Sequence, residues 1–234
     1  MTPAATETIV ITGASSGIGH ATARLLSAPS RTLVLMGRNA DALGGVTREV
    51  EAAGATAVSV TLDLTDVLAV QRFTASFDAP VTALVHSAGL ASLGTLETLD
   101  PADVEAHMRI NVQAPVTLTQ GLLPNLRAAR GTVVFVNSGA GLRARAGWGA
   151  YAASKFALRA VADALREEEG DRLRVTSIYP GRTDTPMQVG VRAQEGGAYE
   201  PEAYLTAEDV ARSIVHVVEA PAGVSVPDLS VRPS

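Results

Sequence analysis

The sequence predicts an α/β fold wound on both faces of a parallel sheet, in a single domain spanning residues 1–234. Short β-rich runs alternate with longer helical patterns from one end of the chain to the other, the order that yields parallel strands joined by right-handed crossovers. Several runs are apolar without a break, Leu33-Val34-Leu35-Met36 and Val133-Val134-Phe135-Val136 among them. A strand with one wet face would alternate, so these strands are covered on both sides. No low-complexity tract or linker marks a second domain.

In chain order, the strands are expected at residues 8–12, 32–36, 57–62, 82–85, 132–137, 174–179 and 224–231. They are mainly β-branched or aliphatic runs, and the last two follow the long second-half helices. Helical periodicity covers 17–28, 41–53, 66–77, 101–126, 151–168 and 207–219. The exception is 183–205, rich in glycine and polar residues and expected to be irregular. A loop longer than about 15 residues is usually functional or mobile.

Composition narrows the chemistry. A chain of 234 residues has enough length for a large core without staples. There are no cysteines, which removes disulfides, thiolate nucleophiles and cysteine-ligated metals. The histidines His20, His86, His107 and His216 lack metal-ligand spacing, so no metal is expected. A net charge of −5 has the wrong sign for a nucleic-acid binder. No apolar run reaches the roughly 18–20 residues of a membrane span, and Ile9–Ile11 is too short for a leader. The chain is therefore read as cytoplasmic, with neither nucleic acid nor membrane as partner. Of its 19 basic residues, Lys155 alone is lysine.

The first strand runs into Thr12-Gly13-Ala14-Ser15-Ser16-Gly17-Ile18-Gly19 and then a helix. In this position the glycines permit a tight turn, close backbone approach to a pyrophosphate, and close helix–strand packing. The first helical turn offers free N–H groups and the positive dipole end to the anion. Where the second strand ends, an acid would hold an adenosine ribose; this chain has Arg38, a fork suited to a 2′-phosphate, which favours NADP(H) over NAD(H). Asp63 and Leu64 close the third strand. Asp63 is placed either to meet the adenine edge or to serve as a helix N-terminal acid, since Thr65 and Asp66 follow.

Tyr151-Ala-Ala-Ser-Lys155 opens an amphipathic helix, so the phenol and ammonium share one face. A neighbouring cation favours phenolate and lowers the tyrosine pKa, making Tyr151 a candidate acid/base. Any surface cation in this chain is almost always arginine, which gives the lone lysine a purpose.

With TGxxxGxG near the start and YxxxK in the second half, the chain resembles the short-chain dehydrogenase/reductase family over essentially its whole length. The resemblance implies a seven-stranded Rossmann sheet in the order 3-2-1-4-5-6-7 and hydride transfer between a nicotinamide and a carbonyl or secondary alcohol. It implies that Tyr151 protonates the carbonyl oxygen, and that Lys155 lowers the phenol pKa and binds the nicotinamide ribose. Ser138, after the fifth strand, corresponds to the serine that hydrogen-bonds the substrate oxygen. Asn111, within the apolar helix at Ile110-Asn111-Val112 and one turn before Pro115, corresponds to the asparagine holding a proton-relay water. Pro180, Gly181, Thr183 and Thr185 match the segment under the nicotinamide. Ala88 and Gly89 allow close approach to the adenosine ribose. Where the family commonly has Asn-Asn before Ala-Gly, this chain has His86-Ser87, an exchange expected to weaken the local sheet and leave the chemistry intact.

The expected pocket walls are Leu90, Leu142, Trp148, Met187 and Val189, with 183–205 as a lid over a small-molecule substrate. Arg143 and Arg145 read first as solvated, and otherwise as contacts for an anionic substrate. By resemblance, helices 101–126 and 151–168 are the subunit-packing pair of a homodimer or homotetramer. The alternative to an NADP(H)-dependent carbonyl reductase or alcohol dehydrogenase is a non-catalytic NADP(H)-binding sensor or interaction protein.

Overall fold

Seven parallel strands form one sheet in the order β3-β2-β1-β4-β5-β6-β7 in a computed structural model that describes residues 7–234. The strands are β1 (Glu7–Thr12), β2 (Arg31–Gly37), β3 (Thr56–Thr61), β4 (Ala83–His86), β5 (Thr132–Val136), β6 (Arg174–Pro180) and β7 (Asp228–Val231). Between them lie α1 (Gly17–Leu26), α2 (Ala40–Ala52), α3 (Val67–Ala75), α4 (Pro101–Met108), α5 (Ala114–Ala129), α6 (Gly149–Glu169), α7 (Pro186–Gln194) and α8 (Ala207–Val218). The doubly wound sheet and its strand order agree with the sequence expectation.

The unbroken apolar runs divide between two cores. Ile9, Ile11, Leu33, Leu35 and Val134 face α1, α2 and α8, whereas Val10, Val34, Val133 and Phe135 face α3, α5 and α6. Each fully buried aliphatic side chain contributes about 1.5–3 kcal/mol to the fold, which is why the central strands tolerate no polar face. β3, at the edge, is mostly exposed, with only Ala57 and Val60 partly buried.

The register brings strand ends to one edge of the sheet. Thr12 is opposite both Met36 and His86, and Pro180 is opposite Val231. Strand order reverses between β1 and β4, so the crevice beyond their carboxyl ends is the ligand position of this architecture.

Three expected elements differ. The helix expected at 101–126 is α4 and α5 joined by a π-helical turn, Arg109–Gln113. Pro115 carries no N–H for the Asn111 carbonyl four residues back, so the regular ladder fails there. The expected irregular loop contains α7, because Thr185 caps it with its hydroxyl accepting from Gln188 N at 3.3 Å and Pro186 stands at its first turn. Finally, β7 begins only at Asp228, after Pro227.

Candidate active site

At the β1–α1 turn, glycine is required by geometry. Gly13 has φ +65°, and a Cβ there would lie 2.8 Å from the Ala88 nitrogen. At Gly19 a Cβ would lie 2.4 Å from the Gly13 carbonyl oxygen, so this glycine lets α1 pack onto its own turn. Thr12 Oγ1 accepts from Ser87 N at 3.0 Å and Ala88 N at 3.1 Å, joining the turn to the β4 loop. Ser16, at the N-cap of α1, makes no side-chain cap bond. The first-turn amides are thus left for an external anion, and the donor set fits a dinucleotide pyrophosphate.

A cavity of about 460 Å³ extends from this turn and is lined by Gly13, Ser15, Ser16, Gly17, Ile18, Arg38, Asp63 and Leu64. Arg38 is exposed at its edge. Asp63 accepts from Thr65 N at 2.9 Å and Thr65 Oγ1 at 2.8 Å, and these bonds hold its carboxyl below the usual range. Asp66 caps α3, accepting from Ala69 N at 2.9 Å. The helix-capping alternative for Asp63 therefore falls, and its place is on the cavity wall.

A second cavity, of about 560 Å³, shares Ile18, Ala88, Gly89, Thr185 and Met187 with the first. Ser138, Leu142, Trp148, Tyr151, Lys155, Pro180, Gly181 and Thr183 line it, as do Leu90, Arg143 and Arg145. Residues 138–155 thus reach one wall from the end of β5 and the first turns of α6. Val189 does not: α7 turns Gln188 and Val191 inward, and Val189 is 48% exposed. Thr183 Oγ1 donates to Gly181 O at 3.1 Å, and Thr185 Oγ1 to Thr183 O at 3.2 Å.

The Tyr151 ring is buried between His107 and Trp148, whose ring centroids lie 6.1 Å and 5.8 Å away, both edge-on. Lys155 Nζ sits 5.8 Å from the Tyr151 ring centroid and donates to Val136 O at 3.0 Å. Burial lowers the Lys155 pKa to about 8. Burial also raises the Tyr151 phenol above its ordinary value, with the adjacent Ser138 hydroxyl pulling it back. The lowering expected from the lysine is therefore not the dominant effect: an ammonium addressing the ring from that distance does not offset desolvation of the phenolate.

Asn111 is buried in the π turn. Its Oδ1 accepts from Leu90 N at 2.9 Å, while Nδ2 donates to Leu90 O at 3.0 Å and Ser154 Oγ at 2.9 Å. The side chain is spent on joining the β4 loop to α6. A Cβ on Gly89 would lie 3.1 Å from Asn111 Oδ1, which accounts for the glycine.

His86 lines neither cavity. It is 3% exposed, hydrogen-bonds Thr119 Oγ1 at 2.8 Å and stacks on Phe135 at 5.0 Å. Burial lowers its pKa to about 3, so it is neutral. In place of the family asparagine, His86 makes a satisfied polar contact from β4 to α5.

Several contributors escaped sequence reading. Asn137 Nδ2 donates to Lys155 O at 3.1 Å, and its Oδ1 accepts from Ser138 N at 2.9 Å. His107 Nε2 accepts from Ser92 N at 3.0 Å, with Nδ1 against Asp103 O at 2.6 Å. Arg182 forms a two-pronged pair with Glu195 at 2.8 and 2.7 Å, and Arg192 joins it at 2.6 Å. Arg182 leads in lowering the Glu195 pKa to about 2, and this cluster ties α7 to the end of β6. Arg232 and Pro233 enter the cavity from the chain's end. The Thr-Pro pair opening α7 was a usable signal; the distant contacts of Asn137 and Arg232 had none.

Residues 7–196 match the short chain dehydrogenase family. Over 211 residues the chain is 34% identical to the uncharacterized oxidoreductase YciK of Escherichia coli (strain K12), covering 86% of this chain and 82% of that one. It is 35% identical over 222 residues to dehydrogenase/reductase SDR family member 7B of Bos taurus, covering 90% and 68%. Among solved structures, an alcohol dehydrogenase from Thermococcus sibiricus complexed with 5-hydroxy-NADP superposes with TM-score 0.86 at 26% identity, over 97% of this chain and 99% of that one. A 3-oxoacyl (acyl-carrier-protein) reductase from Agrobacterium tumefaciens C58 with NADP bound gives TM-score 0.86 at 26% identity, over 97% and 93%.

Proposed function

Because the chain belongs to the short chain dehydrogenase family, we propose that it is an NADP(H)-dependent oxidoreductase interconverting a carbonyl compound and a secondary alcohol, with Tyr151 as the acid/base. The observation that carries this reading is the meeting of Ser138, Tyr151 and Lys155 on one wall of a cavity continuous with the glycine turn. A nicotinamide cofactor held along that groove supplies the hydride. Gly13, Ser15, Ser16, Gly17, Ile18 and Gly19 form the pyrophosphate cradle, and Ala88 and Gly89 give the adenosine ribose room. Pro180, Gly181, Thr183 and Thr185 form the floor at the nicotinamide end. Two structural relatives that bind NADP or its hydroxylated form support the phosphorylated cofactor, as does Arg38 where an acid would repel a 2′-phosphate.

In reduction the Tyr151 phenol donates its proton to the carbonyl oxygen, which keeps negative charge from accumulating there. The Ser138 hydroxyl donates a second hydrogen bond to the same oxygen. Lys155, protonated below about pH 8, holds the ribose hydroxyls and provides the positive field. Asn111 keeps the β4 loop and α6 in register around these groups. Leu142, Trp148 and Met187 form the substrate walls.

Absorbance of NADPH at 340 nm, followed against a panel of ketones and aldehydes, tests the proposal. Turnover is expected with at least one member and is lost in a folded, cofactor-binding Tyr151→Phe variant. Turnover undiminished by that change overturns the mechanism.

A further inference from the structure

We propose that the substrate of this site carries an oxyanion group, a carboxylate or a phosphate, in addition to its reacting carbonyl; this rests on the oxidoreductase reading above. In a protein of net charge −5, the charged residues lining the catalytic cavity are Arg143, Arg145, Lys155, Arg182 and Arg232, with no aspartate or glutamate among the described residues. Lys155 serves the catalytic wall, and Arg182 is neutralised by Glu195. The other three arginines have no carboxylate partner within 4.0 Å among the described residues.

All three are exposed; backbone bonds hold the segment carrying Arg143 and Arg145, and carbonyls hold the Arg232 side chain. Arg143 N donates to Gly139 O at 3.1 Å, and Trp148 N donates to Arg145 O at 3.1 Å, fixing the segment between Ser138 and Tyr151. The Arg232 guanidinium donates to Tyr179 O and to Val231 O, which turns its other nitrogen towards Gly139, where a Cβ would lie 3.3 Å away. Gln188 lines the same cavity and has a buried amide nitrogen without a partner among the described residues. The lining is rich in donors, and its charge is of one sign. The carbonyl of a neutral ketone engages Ser138 and Tyr151 but leaves the three arginines without a partner, whereas an oxyanion meets planar donors suited to its geometry. Low-dielectric walls focus such a field and raise the local concentration of the anion.

The test uses the full chain and two matched pairs: levulinate with methyl levulinate, and dihydroxyacetone phosphate with dihydroxyacetone. Binding to the NADP+-loaded protein is read from emission of Trp148, the one tryptophan, which lines the cavity. At low salt the charged member of at least one pair is expected to bind about tenfold more tightly, with the gap closing as ionic strength rises. The pair that shows the gap distinguishes carboxylate from phosphate. In the exposed-site variants Arg143→Gln and Arg145→Gln, and independently in Arg232→Gln, the ratio of charged to neutral affinity is expected to fall towards one. Equal or tighter binding of both neutral members, a salt-independent gap, or no binding by any of the four overturns the inference. NADPH oxidation is measured on the same pairs. Turnover without preference for the charged member also overturns the anion site but spares the reductase. Anion-selective binding with no turnover of any carbonyl compound across the wider panel does the reverse.

Discussion

The Lys155 ammonium lies 5.8 Å from the centre of the Tyr151 ring and gives its hydrogen bond to the Val136 carbonyl instead. Both groups are buried, and burial acts on them in opposite directions: the lysine falls to about 8 while the phenol rises. The order in which they titrate is therefore set by the pocket. As pH climbs, Lys155 loses its proton first and Tyr151 keeps its own. The reductive kcat/KM is expected to be flat from pH 6 to 7 and to fall through about pH 8, a limb belonging to Lys155. A pH profile with saturating NADPH checks this; a profile flat to pH 10 would assign the limb to the phenol.

Asn137 holds two members of that wall at once, Lys155 through its carbonyl and Ser138 through its amide. It touches them by backbone, so it is a positioning residue. A Cβ on Gly141 would lie 2.4 Å from Asn137 Oδ1 and displace it. Asn137→Ala and Gly141→Ala are both expected to lower kcat by about 10- to 100-fold, as sub-ångström misplacement does. NADPH affinity, set largely by the distant cradle, should change by less than about threefold. Fluorescence titration beside steady-state kinetics separates the two quantities, and an equal loss in both would identify a general structural defect.

Arg38 is exposed at the edge of the cofactor groove. A charge-assisted contact to a 2′-phosphate contributes about 1.5–3 kcal/mol, and NADH has nothing for it to bind. Arg38→Ala is expected to weaken NADPH by roughly 10- to 150-fold while leaving NADH nearly unchanged. Dissociation constants for both cofactors with one variant decide the matter, since parallel losses contradict a phosphate contact.

What the sequence made legible was local. The apolar runs of β2 and β5, the glycine pattern of the first turn, and Tyr151 one helical turn from Lys155 are each recognisable from residues within a short window, although the Ala88 backbone that demands a glycine at position 13 is not. Asn111 shows the limit. Pro115 marked the helix as irregular, but nothing near it in sequence foretold that Asn111 in the π turn reaches Leu90 and Ser154, partners 21 and 43 residues away. Arg232 reaches Tyr179 O across 53 residues because β7 pairs with β6. No periodicity encodes such a meeting. Helix α7 is a different case: Thr185 and Pro186 announced it, and the polar composition that follows concealed it.

His86 links the sheet to acid stability. Its ring is enclosed by Thr119 and Phe135, and its pKa falls from 6.5 to about 3 on burial. Between those values the unfolded chain binds the proton and the native one does not, so stability is complete above about pH 6.5 and declines as pH falls. The slope attributable to this one group is at most about 1.4 kcal/mol per pH unit. His86→Asn removes the titration and also the stacked ring, leaving space against Phe135. The variant is expected to be about 1–3 kcal/mol less stable at pH 7, yet to lose less on acidification to pH 4.5 than the parent does. Urea unfolding at several pH values measures both effects, and parallel pH curves for parent and variant would show that His86 is not the group being protonated.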